Sequence, residues 1–169
     1  MSGNEILLYL AIAALVVWRV VIRQLRGSTL TVRGLALIPG ILVVLGVANC
    51  VHALPGASGG ELAFLGVDLV LLVAFGAARS ASTSLTSRDG YAFQKGTTLT
   101  LFLWLATVAT RVGLSMLGVR LNVAGALTSA SLLLSIGLSI GTQNALIYAR
   151  ARRLGFRIAT TPRAPAVRP

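Results

Sequence analysis

Two ionisable residues interrupt otherwise apolar segments of the chain. Asp68 lies within residues 62–78 and Arg111 within residues 98–117. If the two segments are consecutive antiparallel helices in a membrane, both charges lie at a similar depth. An unpaired charge in hydrocarbon costs at least roughly 2.5 to 3.5 kcal/mol, so the sequence predicts an ion pair between them. This pair is either a structural bridge between two helices or a ligand or proton site open to the outer face.

Polar residues also recur at helical spacing in the last two apolar segments. Residues three and four apart share one face of a helix, where hydroxyl groups bond neighbouring helices and small residues let them approach closely. These stripes predict either ordinary packing contacts or a narrow polar cavity between helices. They consist of Thr100, Trp104, Thr107, Arg111 and Ser115, and then of Ser131, Ser135, Ser139 and Gln143, beside the pair Gly137 and Gly141.

Few other residues are suited to catalysis or metal binding. His52 and Glu61 are two ligands at most, which is too few for a defined metal site, and a single His rules out bis-His haem ligation. Cys50 is the only cysteine, so the chain has no dithiol pair. No nucleophile elbow, phosphate-binding loop or zinc-protease motif occurs. We therefore predict no enzyme activity, no cofactor and no metal.

The elements that position these residues are membrane-spanning helices. Hydrophobic residues make up 56% of the 169 residues and charged residues 11%, whereas soluble domains average about 25% charged. A bilayer core requires about 17 to 25 apolar residues per helix. The sequence predicts an all-α integral membrane protein with a five-helix bundle over residues 1–149. Its apolar segments are residues 6–22, 35–54, 62–78, 98–117 and 123–149.

Two details refine these segments. In the first segment, Glu5 precedes the apolar run, and Arg19 and Arg23 come at or after its end. A secretory signal peptide has its positive charge before the apolar core, so we predict an uncleaved helix here. In the second, Pro39 is expected in the opening turns, where its missing N–H is tolerated.

The segments outside the helices differ in character. Asp89-Gly90, within residues 79–97, is a preferred pair for a two-residue hairpin turn, so a short cytoplasmic β-hairpin or a flexible loop is expected between the third and fourth helices. Residues 150–169 are rich in Arg and Pro and predict a cytoplasmic tail that is largely disordered beyond its first turns. Its first four cations are expected to contact anionic lipid headgroups: Arg150, Arg152, Arg153 and Arg157.

The distribution of positive charge predicts the orientation. Cations near the ends of membrane helices are enriched on the cytoplasmic side. Thirteen of the fifteen Lys and Arg residues fall on one side of the predicted bundle, whereas Arg120 alone falls on the other. The sequence thus predicts an N-terminus outside and a C-terminus in the cytoplasm. The preference for Arg over Lys favours a bacterial source, so the bacterial inner membrane is the expected location. Nucleic-acid binding is not expected, because the cations lie at helix ends rather than on one water-exposed face.

The order of features resembles the CcdC-like family of small bacterial membrane proteins. The resemblance covers about residues 19–120 and rests on Arg33, Pro39, Gly46, the Arg88-Asp89-Gly90 run, Lys95 and Arg111. It implies an accessory membrane role near thiol-redox chemistry or cytochrome maturation. The lone Cys50 indicates that the chain does not itself carry out dithiol exchange.

Three classes of function follow from these features. The leading hypothesis is an accessory protein that acts through helix–helix contacts with itself or a membrane-protein partner, surrounded by lipid. The alternative is a small oligomeric transporter or channel-like protein with an outward-facing polar site at Asp68 and Arg111. A third class, an enzyme acting on lipids or isoprenoids within the membrane, lacks an identifiable acid–base pair.

Overall fold

The structure, a computed structural model, describes residues 27–88, 91–123 and 125–159. These residues form a helical bundle with a small sheet at one end. The helices are α1 (Val32–Ala53), α2 (Gly59–Ser82), α3 (Thr98–Arg120), the short α4 (Ala126–Ala130) and α5 (Leu132–Arg153). The strands are β1 (Ser28–Thr29), β2 (Ser84–Arg88) and β3 (Tyr91–Lys95).

Four of these helices are long and apolar enough to cross a membrane: α1, α2, α3 and α5. Their outward faces expose large apolar side chains such as Val44, Val70 and Phe102. In water these surfaces would be costly, whereas lipid solvates them. The prediction of several helices long and apolar enough to span a membrane is therefore confirmed. The first predicted segment, residues 6–22, lies outside the described residues.

Helix α5 contacts both α1 and α2, and α3 packs on α2. Close approach depends on glycines. A Cβ at Gly46 of α1 would collide with the backbone of Leu134 in α5, and one at Gly76 of α2 would meet the carbonyl oxygen of Ser139 at 2.5 Å. The Gly46 contact holds α1 against α5, and the Gly76 contact brings polar side chains of α2 and α5 together.

Pro39 lies within α1, not in its opening turns as predicted, because the helix begins at Val32, capped by Thr31, three residues before the expected start. A proline at this position has no N–H to donate to the carbonyl four residues earlier, that of Leu35. Asn144 of α5 donates to this oxygen through Nδ2 at 2.8 Å. The side chain of a neighbouring helix thus replaces the missing backbone bond.

A small sheet does exist between α2 and α3. Strands β2 and β3 pair antiparallel from Ser84 with Lys95 to Arg88 with Tyr91, so residues 89 and 90 connect them. Strand β1 pairs with the other edge of β3, giving the order β1-β3-β2. We call this end of the bundle the sheet end and the opposite end the Asp68 end.

Beyond its first turns, the tail that is predicted to be disordered instead completes the bundle as far as residue 159. Helix α5 continues to Arg153, and backbone hydrogen bonds join Arg157 to Ala92 and Ala159 to Leu30. A buried apolar cluster holds this strand-like segment on the bundle; its members are Leu30, Ala92, Ile147 and Ala151, with Phe156 and Ile158 packed against them. Burial of these groups supplies the stabilisation that the tail composition did not indicate.

Two helix boundaries also differ from the predictions in ways that affect the interior. Helix α2 extends to Ser82, so Arg79 lies inside it rather than in the following loop. The segment predicted as one helix over residues 123–149 is divided at Ser131 into α4 and α5.

Candidate functional site

The polar interior consists of two clusters at different depths between α2, α3 and α5. The Asp68 cluster comprises Asp68, Arg111, Ser131 and Ser135. Asp68 is 2% exposed and forms a salt bridge with Arg111 through Oδ2 and Nη1. Ser135 donates to the same oxygen of Asp68 at 2.8 Å. The structure thus brings together the two charges that interrupt the apolar segments.

Arg111 is held at its other end by α4 and the start of α5. Its Nη2 donates to the carbonyl oxygen of Thr128 and to Ser131 Oγ, both at 3.4 Å. The break between α4 and α5 brings these acceptors towards the guanidinium. One oxygen of the pair, Asp68 Oδ1, is buried without a hydrogen-bond partner. The adjoining cavity has a volume of about 10 Å³, room for at most one water molecule.

The Arg79 cluster, nearer the sheet end, comprises Arg79, Trp104, Thr107, Ser139 and Gln143. Arg79 is completely buried. Its guanidinium donates to Gln143 Oε1 at 2.8 Å, to Thr107 Oγ1 at 2.6 Å and to Ser139 Oγ at 2.7 Å. Its Cζ lies 4.2 Å from the ring centroid of Trp104, which adds a cation–π contact.

The direction of Arg79 follows from helix geometry. In an α-helix the Cα–Cβ bond points towards the N-terminus, and α2 runs from the Asp68 end to the sheet end. The side chain therefore points back into the bundle. Its partner Thr107 lies nine residues after the start of α3, about 13 Å along that helix at 1.5 Å per residue. Arginines near helix ends usually extend outward to the membrane surface, so Arg79 has the opposite orientation.

No carboxylate in the described part of the chain forms an ion pair with Arg79. The two hydroxyl acceptors are also engaged as donors, Thr107 to the carbonyl of Leu103 and Ser139 to that of Leu72. The network is thus fixed in direction, but its acceptors are all neutral. Arg79 introduces a positive charge into the protein interior without a described counter-charge.

A cavity of about 370 Å³ lies beside the Arg79 cluster, and we call it the sheet-side cavity. Trp104 and Gln143 belong both to its wall and to the Arg79 cluster. Its wall exposes more apolar than polar surface and combines glycines and neutral polar residues with four apolar or aromatic ones: it contains Gly27, Ser28, Gly34, Thr83, Gln94, Gly96, Thr100, Gln143 and Asn144, together with Ile38, Pro39, Trp104 and Ile140. Two side chains of this wall carry buried polar atoms without a partner, Gln94 Oε1 and Trp104 Nε1.

A separate apolar groove of about 580 Å³ runs between α1 and α5. Small residues four apart lie on both of its walls, Ala36 and Gly40 on α1 and Gly141 and Ala145 on α5. Among the described residues, no atom lies within 4 Å of the position that a Cβ of Gly40 would occupy.

The structure brings most of the residues of the predicted stripes into the two clusters. Thr107, Ser139 and Gln143 surround Arg79, whereas Ser131 and Ser135 surround the ion pair. Ser115 is exposed and donates to the carbonyl of Arg111 within its own helix.

The arginines predicted to contact lipid fall into two groups. Arg152, Arg153 and Arg157 are exposed at the sheet end. Arg150 is partly buried and donates through Nη1 to the carbonyl oxygens of Ser80 and Thr83 near the end of α2. Arg150 therefore joins two helices as well.

Sequence reasoning missed Arg79 as an interior residue because a charge at the end of an apolar run was taken as the helix boundary. One signal was available. Asp68, Leu72, Gly76 and Arg79 follow one another at intervals of four, four and three residues, which is the spacing of a single buried helix face.

Comparisons of the chain with protein-family models, curated proteins and solved structures find no match. The resemblance to the CcdC-like family therefore stays a prediction.

Proposed function

We propose that this chain is a non-enzymatic accessory protein of the bacterial inner membrane that acts through contacts between transmembrane helices. In this proposal the segment 6–22 is a fifth transmembrane helix, the N-terminus is outside and the sheet end is cytoplasmic. The exposed cations support the orientation. Among the described residues, Arg120 lies at the Asp68 end, whereas the exposed cations of the sheet end are Arg33, Arg88, Lys95, Arg152, Arg153 and Arg157.

The observation that carries the proposal is the groove between α1 and α5. Lipid tails solvate any apolar surface, so apolarity alone does not favour a protein partner in a membrane. Small residues do, because they let a second helix approach closely and gain dispersion contacts. Ala36 and Gly40 of α1 and Gly141 and Ala145 of α5 line one groove of about 580 Å³, so small residues lie on both of its walls.

The transporter alternative has less support from the geometry. The cavity at Asp68 and Arg111 has a volume of about 10 Å³, and both residues are bonded to protein groups. Oxygen Oδ1 of Asp68 lacks a partner, which is the observation that favours a bound water or proton there. A substrate larger than water would require the helices to separate.

Photocrosslinking within the membrane tests the proposal. A small diazirine amino acid is introduced at Gly40, where the structure has free space, and cells are irradiated before solubilisation. The expected result is a discrete protein adduct, with either a second copy of the chain or one other membrane protein. Both identities support action through helix contacts and distinguish self-association from a partner.

The matched control carries the same amino acid at Val70 of α2, which is 69% exposed on another helix and outside the groove. Val70 is expected to give adducts with lipid. If Gly40 also gives only lipid adducts, the groove faces lipid in the cell and the proposal is wrong.

A further inference from the structure

We propose that the sheet-side cavity binds a phosphate group, with Arg79 supplying the positive charge that attracts it. This inference is independent of the helix contacts proposed above. It rests on the buried charge, on the composition of the wall and on the charge distribution at this end of the bundle.

Burial of the Arg79 charge costs free energy. A charged side chain in the membrane interior is expensive and is usually paired with an opposite charge or placed where it serves a site. Arg79 has three neutral oxygen acceptors and one aromatic ring, but no described carboxylate. The two carboxylates that the structure describes in this chain, Glu61 and Asp68, both belong to the first half of α2, away from the sheet end. An anion beside the cluster would supply the missing negative charge.

The guanidinium of Arg79 is close to the sheet-side cavity. Gln143 and Trp104 contact Arg79 directly and also form part of the cavity wall. The positive charge is thus one side chain away from the cavity. Because Arg79 fixes Gln143 through Oε1, the N–H groups of that amide are free to serve an acceptor in the cavity.

Two helix N-termini lie beside the cavity, and their partial charge acts there even though the N–H groups of Gly34 and Thr100 already donate to Thr31 Oγ1 and Thr97 Oγ1, at 3.2 and 3.3 Å. Helices α1 and α3 both begin beside it, with Gly34 from the first turn of α1 and Gly96 and Thr100 from the start of α3 in its wall. The N-terminal ends of helices carry partial positive charge and favour anions. Trp104 also belongs to this wall, and its Nε1 is buried with no partner among the described residues. The partial charges of the two helix N-termini thus favour an anion over a cation.

The size and position of the cavity further restrict the class of ligand that it can bind. A volume of about 370 Å³ lies at the lower end of small-molecule sites and holds a phosphate ester with a short attached group. Ile38, Pro39 and Ile140 form its apolar part and belong to membrane-spanning helices. The phosphate is carried either by the headgroup of an anionic lipid or by a soluble compound.

Titration of the full chain in nanodiscs of phosphatidylcholine tests the proposal. Trp18→Phe leaves Trp104 as the single tryptophan, so its fluorescence reports on the cavity wall. Inorganic phosphate and short-chain phosphatidic acid are titrated separately, with short-chain phosphatidylcholine as the zwitterionic control. A saturable response to phosphatidic acid alone supports a lipid headgroup, and a comparable response to inorganic phosphate supports a soluble ligand.

Gln143→Glu tests the role of the charge. Glutamate retains an oxygen acceptor for Arg79 Nε but adds a negative charge beside the cavity, so the apparent affinity for phosphate should fall at least tenfold. Asn122→Asp adds the same charge at the Asp68 end, on an exposed residue, and should leave the affinity unchanged.

Three results would overturn the proposal. One is the absence of a saturable response to either phosphate compound in the parent chain, which does not depend on any cavity variant folding. The second is an equal response to phosphatidylcholine. The third is an unchanged affinity in Gln143→Glu when size-exclusion chromatography and circular dichroism show that the variant is folded.

Discussion

Removal of Arg79 should destabilise the protein less than removal of the groups that accept its hydrogen bonds. In Arg79→Met the charge disappears together with its three bonds, and an unbranched apolar side chain fills much of the same space. Thr107 and Ser139 retain the bonds that they donate to Leu103 and Leu72. Gln143 remains beside a cavity. We therefore expect the free energy of unfolding to change by less than about 1 kcal/mol, as when a buried ion pair is replaced by apolar residues.

The opposite substitutions leave Arg79 buried with fewer acceptors. Hydrogen bonds to charged groups contribute about 1.5 to 3 kcal/mol in soluble proteins, and interhelical bonds in membranes average about 0.6 kcal/mol. Thr107→Val and Ser139→Ala should therefore each cost about 1 to 2 kcal/mol. Both remove an acceptor that lies within 2.7 Å of the guanidinium.

Reversible unfolding in mixed micelles, followed by circular dichroism, measures all three variants under one condition. Ser115→Ala is the matched control, because its exposed hydroxyl bonds only within α3. If Arg79→Met loses more stability than Ser139→Ala and Thr107→Val together, the cluster is a net stabiliser. Burial of Arg79 would then stabilise the fold, contrary to the expectation that removing the charge changes the free energy of unfolding little.

Three further predictions concern packing and pairing. Asp68→Ala or Arg111→Ala alone should lower the free energy of unfolding by about 3 to 5 kcal/mol. The exchange Asp68→Arg with Arg111→Asp should restore part of the folded protein seen on size-exclusion chromatography, and no recovery would argue against a mutual pair. Gly46→Ala should lower the free energy of unfolding by about 1 to 3 kcal/mol in the same assay, because its Cβ meets the backbone of Leu134. Gly40→Ala, where the space among the described residues is open, should leave it unchanged, and equal effects would contradict the close packing of α1 and α5. Asn144→Leu should lower the free energy of unfolding by about 1 to 2 kcal/mol. In a Pro39→Ala background the loss should be less than half of that, because residue 39 can then donate to the Leu35 carbonyl itself. Equal losses in both backgrounds would show that Asn144 does not replace the proline's missing bond.

Periodic apolar runs predicted the spanning helices of the described chain because hydrophobic length is a strong signal in a membrane. The paired strands around residues 89 and 90 were likewise one of two expected outcomes, since that dipeptide suits a tight turn. The third strand was not predicted because β1 has two residues, too few for any alternation of polar and apolar positions. The segment 156–159 joins the sheet through contacts with Leu30 and Ala92, which are distant in sequence.

The candidate site was predicted less completely than the fold. The ion pair of Asp68 and Arg111 could be expected because each charge interrupts an apolar run. Arg79 lies at the end of such a run, where a charge ordinarily faces the membrane surface, and its inward direction depends on the extension of α2 to Ser82. The sheet-side cavity requires the relative placement of α1, α3, α5 and the sheet, which no local pattern contains.

The central claim is a bundle that spans the membrane with its sheet end in the cytoplasm, and cysteine accessibility tests it most directly. In a Cys50→Ala background, single cysteines replace Leu121 at the Asp68 end and Lys95 at the sheet end, both of which are exposed. An impermeant maleimide should label Leu121→Cys in intact spheroplasts and Lys95→Cys only after permeabilisation. The reverse pattern would contradict the orientation, and labelling of both positions in intact spheroplasts would contradict a membrane-spanning bundle.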